Sequence, residues 1–417
     1  MRRDCPRHCR RASHRLMPSH PTLPAPIRWG RPLPENVGEP RVVRQLVERA
    51  LAVDPERAAL HVQLAHVHLD QLDFRGAVPC LERAIELEPD ASEARMLVAR
   101  CYNMLGRPDA AIRVLAPLPC ANYERAAALA ELGDAGAEAE FRAVLMRQPN
   151  DARACRLLSR LLRRSGRHHA LLELCETLFD RGAVSAQLLY NWGVALALTG
   201  DTPRAKRLMF DPVHIVRMPL PVPDGFADIA AFNAKLAAAL LADPKPVVEF
   251  PQEVEANRGS RRIDNLFHGP RAALAGLLVK AFQSAADEYQ PVERPGFDPW
   301  ATLRPAAARI RPWGLLQRNA AYEAGHIHPL GWLSGVYYVR VPKAVSTGNG
   351  AGALAFGQPA SLRTEVTRSA QYVPEEGMLL IAPSHYEHWT IPSGLDEERI
   401  SIAFDIVPEA HGVPTTG

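Results

Sequence analysis

Three histidines in the C-terminal part of the sequence are the strongest candidates for chemistry. His326 and His328 are separated by one residue. If this segment is extended, alternation places both imidazoles on one face and Ile327 on the other. The third histidine, His388, follows an apolar run that ends at Ala382. Neutral imidazole binds iron, zinc and copper well, but the His-x-His pair alone is equally compatible with a structural role.

An arginine and a serine follow the third histidine in a strand-like segment. Arg399 and Ser401 alternate with Ile400 and Ile402, so a strand would present the guanidinium and the hydroxyl on one face. The order of His-x-ligand pair, distal histidine and Arg-x-Ser resembles the signature of the 2-oxoglutarate oxygenases. In that family the first three side chains hold iron(II), and the arginine and serine bind the distal carboxylate of 2-oxoglutarate. A dicarboxylate buried in a narrow barrel needs such a partner, and an arginine fork matches its geometry.

The resemblance assigns a role to each of these five residues. It implies that His326, His328 and His388 bind the metal, and that Arg399 and Ser401 anchor 2-oxoglutarate. A bacterial group of oxygenases often fused to tetratricopeptide repeats is similar to this sequence in HIHPLGWLSGVYYVRVP, PEEGMLLIAPSHYEHWTIPSG and ERISIAFDIVP. The similarity covers about residues 211 to 408 and is strongest from residue 315. It implies iron(II) as cofactor and 2-oxoglutarate as co-substrate, and it names no substrate.

One position departs from the wider superfamily. His328 stands where most such oxygenases carry a carboxylate. A three-histidine site is feasible and keeps the full charge of the metal, which favours a dianionic co-substrate. Glu323 or Glu387 is the alternative ligand, and we expect three histidines instead. His385 lies an odd number of strand positions from His388, so we expect it beside the site or at the surface rather than on the metal.

Two pairs of polar side chains extend the candidate pocket. One of Tyr337 and Tyr338 must face the interior of a barrel if their strand is regular, and the pattern alone does not decide which. Gln317 and Asn319 alternate before the histidine pair, where a pocket lining and an edge strand are equally compatible with the pattern. We take Tyr338 and Asn319 as further candidates for contact with the co-substrate.

Short β-type runs separated by Gly and Pro begin near Ala307. They include GWLSGVYYVRVP, GALAF, GMLLIAP and RISIAFDIVP, and their spacing predicts a sandwich or jelly roll. Two helical stretches precede them, Ile229 to Leu241 and Arg271 to Tyr289. We therefore predict a double-stranded β-helix (jelly roll) with flanking helices over residues 211–417, with its core at about 300–408.

Residues 39–210 are helical and repetitive. Matches at a lag of 34 residues include Ala65 with Ala99, Ala77 with Ala111, Pro55 with Pro89, and Gly166 with Gly200. This resembles the tetratricopeptide repeat, a pair of antiparallel helices that buries its apolar face by stacking on its neighbours. The resemblance implies a concave surface for a protein or peptide partner, and a brace for the second domain is the alternative. The whole chain is thus predicted to be an α+β multidomain protein that begins with an α-helical solenoid.

Composition restricts the remaining possibilities. Of the 417 residues, 47% are hydrophobic and 23% are charged, as expected for an ordinary globular protein. Residues 1–38 are rich in Arg and Pro, and we predict a disordered basic tail there. Residues 1–16 need not belong to the mature protein, because Met17 is an alternative start. The rest of the chain is slightly acidic, so we expect no nucleic-acid partner.

Apolar runs and cysteine usage bear on the compartment. The longest apolar runs are far shorter than the roughly 18 residues that a membrane span needs, so we expect no membrane association. All seven cysteines lie before residue 176, their number is odd, and none forms a CxxC pair. This pattern indicates reduced thiols and a cytoplasmic location.

The leading hypothesis from the sequence is an oxygenase that hydroxylates an unidentified substrate. Two alternatives to it remain. A cupin-type dioxygenase also uses histidines on a jelly roll, but the glutamate expected four or five residues after the pair is replaced by Trp332 and Leu333. The other alternative is a repeat-based interaction scaffold with a degenerate jelly roll, which His328 in the place of a carboxylate leaves open.

Overall fold

The computed structural model describes residues 25–33, 40–120, 122–242, 256–292, 295–346, 350–357, 362 and 369–409. The helices are α1 (Pro40–Val53), α2 (Ala58–Leu69), α3 (Phe74–Leu87), α4 (Ser92–Met104), α5 (Pro108–Leu115), α6 (Tyr123–Glu131), α7 (Gly136–Arg147), α8 (Ala152–Arg164), α9 (His168–Asp180), α10 (Ala186–Leu198), α11 (Thr202–Met209), α12 (Ile229–Leu241), α13 (Ala272–Glu288) and α14 (Lys343–Ser346). The strands are β1 (Arg28–Trp29), β2 (Val216–Pro219), β3 (Asn257–Arg258), β4 (Arg261–Ile263), β5 (Ala307–Asn319), β6 (Tyr322–Glu323), β7 (Leu333–Arg340), β8 (Leu354–Phe356), β9 (Ala370–Tyr372), β10 (Met378–Pro383), β11 (His388–Thr390) and β12 (Leu395–Pro408).

Helices α2 to α11 form consecutive pairs, as the 34-residue lag predicts. The repeated alanines Ala65, Ala77, Ala99 and Ala111 are all fully buried, because neighbouring helices approach one another most closely where the side chain is smallest. At the end of α4, α8 and α10, the chain turns through a glycine with φ between 67° and 89°, a conformation that residues with a Cβ rarely adopt. The helical repeat region is therefore confirmed.

The C-terminal part is a curled, mixed sheet that faces a smaller one. The larger sheet has the strand order β1-β5-β12-β7-β10-β2, with β4 also paired to β5, and the smaller has the order β11-β8-β9. Helices α12 and α13 cover the outer face of the larger sheet, where Phe282 stacks on Phe404 with 4.1 Å between ring centroids. The inner face is left for a cavity. This is the predicted jelly roll with flanking helices.

The N-terminal segment corrects one prediction. Residues 28 and 29 form β1, which pairs in parallel with β5. The backbone N–H of Ile27 and the indole N–H of Trp29 both donate to the carboxylate of Asp287, at 2.8 and 3.1 Å. The prediction of disorder is therefore wrong for residues 25–33, because a strand edge and a carboxylate more than 250 positions away hold them. The rest of the basic tail lies outside the described residues.

The repeats and the sheets share one hydrophobic core. Buried side chains from α6 to α11 belong to the same cluster as those of α12, α13 and the larger sheet. Polar contacts join the two parts as well: the backbone N–H of Asp211 donates to the hydroxyl of Tyr386 at 3.1 Å. The cysteines within the described residues are free thiols. In that part of the chain, no helix combines the length and hydrophobicity that crossing a bilayer requires.

Candidate metal centre

The fold brings the three predicted histidines together. His326 and His388 form a backbone bridge in which each N–H donates to the other's carbonyl at 3.0 Å. His328 lies two residues beyond His326, on the same side of this extended segment. One potential ligand atom from each of the three side chains lies within 4.8 Å of the others. Within the described residues, this is the one such cluster of His, Cys, Asp or Glu side chains.

Hydrogen bonds orient all three imidazole rings in the same way. The Nδ1 atom of His326 lies 2.7 Å from the carbonyl oxygen of Ala324, and that of His388 lies 2.9 Å from the carbonyl oxygen of Tyr386. The Nδ1 atom of His328 contacts the carboxylate of Asp405. Carbonyl and carboxylate oxygens only accept, so each Nδ1 carries the proton and each Nε2 is directed towards the shared centre.

The short distance between the Nε2 atoms of the histidines requires a cation between them. The Nε2 atoms of His326 and His328 lie 3.2 Å apart, and two lone pairs at this distance need a proton or a metal ion between them. The third ring, His388, supplies another Nε2, and one proton cannot satisfy three acceptors. Nitrogens bound to one ion at about 2.1 Å would lie about 3.0 to 3.4 Å apart, so the spacing fits a metal.

Burial also keeps these rings neutral. Removal from water, reinforced by the nearby His328, lowers the pKa of His388 to about 3. Removal from water and the two neighbouring imidazoles hold the pKa of His326 well below its ordinary value. Both rings are therefore neutral at physiological pH, which is the protonation state that binds a metal.

Asp405 is a site residue that the sequence analysis missed. Its carboxylate accepts from the Nδ1 of His328 and from the hydroxyl of Ser334, the latter at 2.8 Å, and the Ser334 hydroxyl lies 2.6 Å from that of Ser384. Burial raises the pKa of Asp405, but His328 and Ser334 outweigh it, and the pKa lies below its usual range. Its position in β12 has the same parity as Arg399 and Ser401, which was a signal for its orientation.

Neither Glu323 nor Glu387, the two carboxylates considered as alternative ligands, belongs to the cluster of three histidines. The carboxylate of Glu323 accepts from the hydroxyl of Ser260 at 3.1 Å. Glu387 is directed towards the helical repeats, where it accepts from the hydroxyl of Tyr190 at 2.9 Å. The cluster therefore consists of the three histidines.

A cavity of about 280 Å³ opens beside the histidines, and Arg399, Ser401 and Tyr338 line it together with them. Arg399 is only 5% exposed. Its guanidinium donates to the carbonyl of Gly352 at 2.5 Å and to the side chain of Gln317, while its Nε has no hydrogen-bond partner. No carboxylate forms an ion pair with it within the described residues. Such a buried, unpaired cation fits a bound anion.

The structure places Tyr338 at the cavity and Tyr337 and Asn319 away from it. In the strand register Tyr338 lies opposite Ser401 and faces the cavity, whereas the Tyr337 hydroxyl donates to Asn233 at 2.6 Å on the helix-covered side. Asn319 is exposed at the end of β5, where its φ of 51° breaks the alternation, and the structure does not bring it to the cavity.

His385 does not belong to the cluster of three histidines, as expected, and it is buried rather than at the surface. Its Nε2 lies 2.9 Å from the carbonyl oxygen of Leu208 at the end of α11. Burial lowers its pKa to about 3. It therefore connects the repeat region to the segment that carries His388.

Comparisons with known proteins agree with the two regions. Residues 311–405 match the family described as "Putative 2OG-Fe(II) oxygenase", and residues 62–117 match the family described as "Tetratricopeptide repeat". No curated protein matches the chain.

Among solved structures, the chain is similar to a prolyl-4-hydroxylase from Pseudomonas putida, with 14% identity, a TM-score of 0.33, and 49% of this chain and 99% of that chain covered. It is similar to a prolyl hydroxylase from Trichoplax adhaerens in complex with a peptide fragment of hypoxia inducible factor, with 11% identity, a TM-score of 0.35, and 50% and 91% covered. The type IV pilus biogenesis factor PilW gives 18% identity, a TM-score of 0.35, and 49% and 88% covered. By the two family matches, the chain carries a tetratricopeptide-repeat region, of a kind associated with protein interaction, followed by a domain that matches the 2OG-Fe(II) oxygenase family.

Proposed function

We propose that this protein is an iron(II)- and 2-oxoglutarate-dependent oxygenase that hydroxylates a protein or peptide substrate. In the overall reaction, one atom of O₂ enters the substrate as a hydroxyl group and the other enters succinate, as 2-oxoglutarate loses CO₂. The observation that carries the proposal is three imidazoles converging in the same cavity as a buried arginine that has no ion-pair partner within the described residues. We also propose residues 39–210 and 211–417 as the two working parts, in a cytoplasmic setting that the free thiols support.

The three histidines would hold the metal through their Nε2 atoms. When bound there, iron(II) would supply the redox chemistry that couples decarboxylation of 2-oxoglutarate to oxidation of the substrate. Asp405 holds the His328 ring in the tautomer that frees its Nε2. Because a metal-bound imidazole is an uncharged ligand, three of them would leave the metal its full charge, and a dianionic co-substrate would gain more attraction than it would beside a carboxylate ligand.

Arg399, Ser401 and Tyr338 would orient the co-substrate. The guanidinium is fixed by Gly352 and Gln317, so it can receive the distal carboxylate without losing side-chain freedom. Ser401 is next to it on the same face of β12, and Tyr338 lies opposite Ser401 on β7. Low exposure of Arg399 to water strengthens the attraction between its charge and the carboxylate.

Succinate release and ligand titration test the proposal. We expect the wild-type chain to release succinate only with both iron(II) and 2-oxoglutarate. His388→Ala should abolish iron binding, and Arg399→Lys should weaken 2-oxoglutarate binding by about 10- to 100-fold while leaving iron binding intact. His169→Ala and Arg318→Lys, on exposed surfaces, are the matched controls.

Three outcomes would contradict the proposal. Iron binding and turnover that survive His388→Ala would rule out the metal site. Oxygen consumption that needs no 2-oxoglutarate would favour a cupin-type dioxygenase. If anaerobic, iron-loaded protein gave no calorimetric response to 2-oxoglutarate, or if purified protein held only unexchangeable zinc, the scaffold alternative would be preferred.

A further inference from the structure

Helix α8 carries a row of basic side chains that the proposed reaction does not use. Arg153, Arg156, Arg160, Arg163 and Arg164, called the arginine stripe below, are spaced by three and four residues, with Arg164 adjacent to Arg163. At 3.6 residues per turn these positions fall on one face, opposite the buried face of the helix, and the row is about 15 Å long. The helix contains no acidic residue to neutralise the row.

Most of this charge has no partner in the part of the chain that the structure describes. Arg156, Arg160 and Arg164 are exposed, and within the described residues none of them forms an ion pair or a side-chain hydrogen bond. Arg153 lies 3.6 Å from the carboxylate of Glu124, and its guanidinium stacks 4.3 Å above the Tyr123 ring. Like charges three and four positions apart destabilise a helix. An uncompensated row of them therefore points to an external anion that offsets this cost.

The stripe lies on the surface that the repeats offer to a partner. The first helices of successive repeats pack against one another, α4 on α6, α6 on α8 and α8 on α10. In solenoids of paired helices, the helices that pack together in this way form the concave binding surface. The exposed face of α8 is therefore part of that surface.

Helix α10, which packs beside α8, contacts the segments around the three histidines. Tyr190 of α10, next to α8, donates to the carboxylate of Glu387, the residue before His388 in the chain. That carboxylate also lies beside Gly325, directly before His326. The backbone N–H of Gln187, at the start of α10, donates to the carbonyl of Pro329, a residue lining the cavity, at 3.3 Å. A chain bound along the stripe would therefore lead to the rim of the cavity.

We infer that the arginine stripe binds an acidic peptide segment of the substrate and so delivers a neighbouring side chain to the cavity. This inference rests on the proposed function, because it names the class of substrate that the oxygenase would take. An extended peptide covers the roughly 15 Å stripe with about five residues.

A peptide fits better than a nucleic acid. The cavity of about 280 Å³ must hold both the co-substrate and the reacting group, which leaves room for a side chain rather than for a nucleotide. The stripe is also one helix wide, and the chain beyond its first 38 residues is slightly acidic overall, whereas nucleic-acid binding relies on broad basic surfaces.

Fluorescence polarisation with the full-length, metal-free chain tests the inference. The probe is a labelled peptide of six glutamates, and a peptide of six lysines is its control. We expect the glutamate peptide to bind with an affinity that falls as salt is added, and Arg156→Glu/Arg160→Glu to weaken it by about tenfold or more. Arg49→Glu/Arg75→Glu reverses two exposed charges on α1 and α3, away from the stripe, and should bind like the wild type.

Two outcomes would overturn the inference. One is binding of the glutamate peptide that the stripe substitutions do not change in a variant with a wild-type melting temperature. The milder Arg156→Gln/Arg160→Gln variant serves if the charge reversal impairs folding. The other is tighter, stripe-dependent binding of a six-nucleotide oligothymidylate. Because this assay needs no metal or 2-oxoglutarate, peptide binding without succinate release would refute only the proposed enzyme, and succinate release without stripe-dependent binding would refute only this inference.

Discussion

At the scale of single residues, the three imidazoles differ in what holds them in place. The rings of His326 and His388 donate to backbone carbonyls close in sequence, whereas that of His328 donates to a carboxylate 77 positions away. Backbone acceptors cannot be removed by substitution. Asp405 is therefore the one of these three acceptors whose role mutagenesis can test.

We expect Asp405→Asn to lower metal affinity by about 10- to 100-fold, because an amide orients the His328 ring less firmly and adds no basicity to it. Titration with iron(II) or with cobalt(II), followed by absorbance, measures the effect. Asp396→Asn, an exposed position on the same strand, is the control. Unchanged metal affinity in Asp405→Asn would show that the carboxylate does not position the ligand.

The lowered pKa of His388 predicts a pH dependence of stability. Between its ordinary value of about 6.5 and its folded value of about 3, the unfolded chain binds a proton that the folded chain excludes. The unfolding free energy of metal-free protein should therefore fall as the pH drops from 6.5, by up to about 1.4 kcal/mol per pH unit for this group. Denaturant titrations at pH 7, 6 and 5 measure the slope. His388→Gln should reduce it, and an unchanged slope would contradict the assignment.

At the scale of elements, the cavity depends on close packing within the larger sheet. A Cβ at Gly335 of β7 would lie 2.4 Å from the Phe404 ring and 2.9 Å from the Leu380 carbonyl oxygen of the neighbouring strand. The backbone oxygen cannot move aside without shifting β10. The glycine therefore lets β7 lie between β12 and β10 while Phe404 keeps its contact with α13.

Gly335→Ala should destabilise the protein by about 1 to 3 kcal/mol, because the added methyl group overpacks the sheet. The matched control is Gly276→Ala in α13, where nothing lies within 4 Å of the new Cβ. There the substitution should stabilise the protein by about 0.5 to 1 kcal/mol. Denaturant unfolding of both variants tests the contrast, and equal effects would contradict it.

At the scale of the whole molecule, the helices of the repeats divide between two hydrophobic cores. Buried side chains of α2 to α5 form a cluster of their own, whereas those of α7 to α11 share a core with the sheets. Trp192 of α10, for example, packs edge-on against Phe297, with 5.0 Å between ring centroids. Helices α7 to α11 thus share their core with the domain that carries the three histidines.

Hydrogen exchange should reveal this division. We expect backbone amides of α2 to α5 to exchange faster than those of α8 to α11, because the first group can open without disrupting the shared core. Mass spectrometry of proteolytic fragments after timed exchange measures both groups in one experiment. Equal protection along all the repeats would show that the array opens as one unit.

From the sequence by itself, the resemblance to the 2-oxoglutarate oxygenases predicted that His326, His328 and His388 meet. Alternation along a strand is a local property, so the shared face of Arg399 and Ser401 could be predicted without the fold. Stacking of helix pairs at a fixed lag is equally local, and the buried alanines such as Ala65 and Ala99 followed from it.

Only the tertiary structure decided the rest, because those contacts join residues that are far apart in sequence. The positive φ of Asn319 ends β5 and keeps that side chain away from the cavity, whereas alternation had left a cavity lining and an edge strand equally compatible. Strand register turned Tyr338 inwards, and a partner 77 positions away drew Asp405 to His328. The packing of α10 against the segments around the histidines joined the repeats to the cavity. Local patterns fix which face a side chain takes, but strand ends, register and docking depend on the packing of the whole chain.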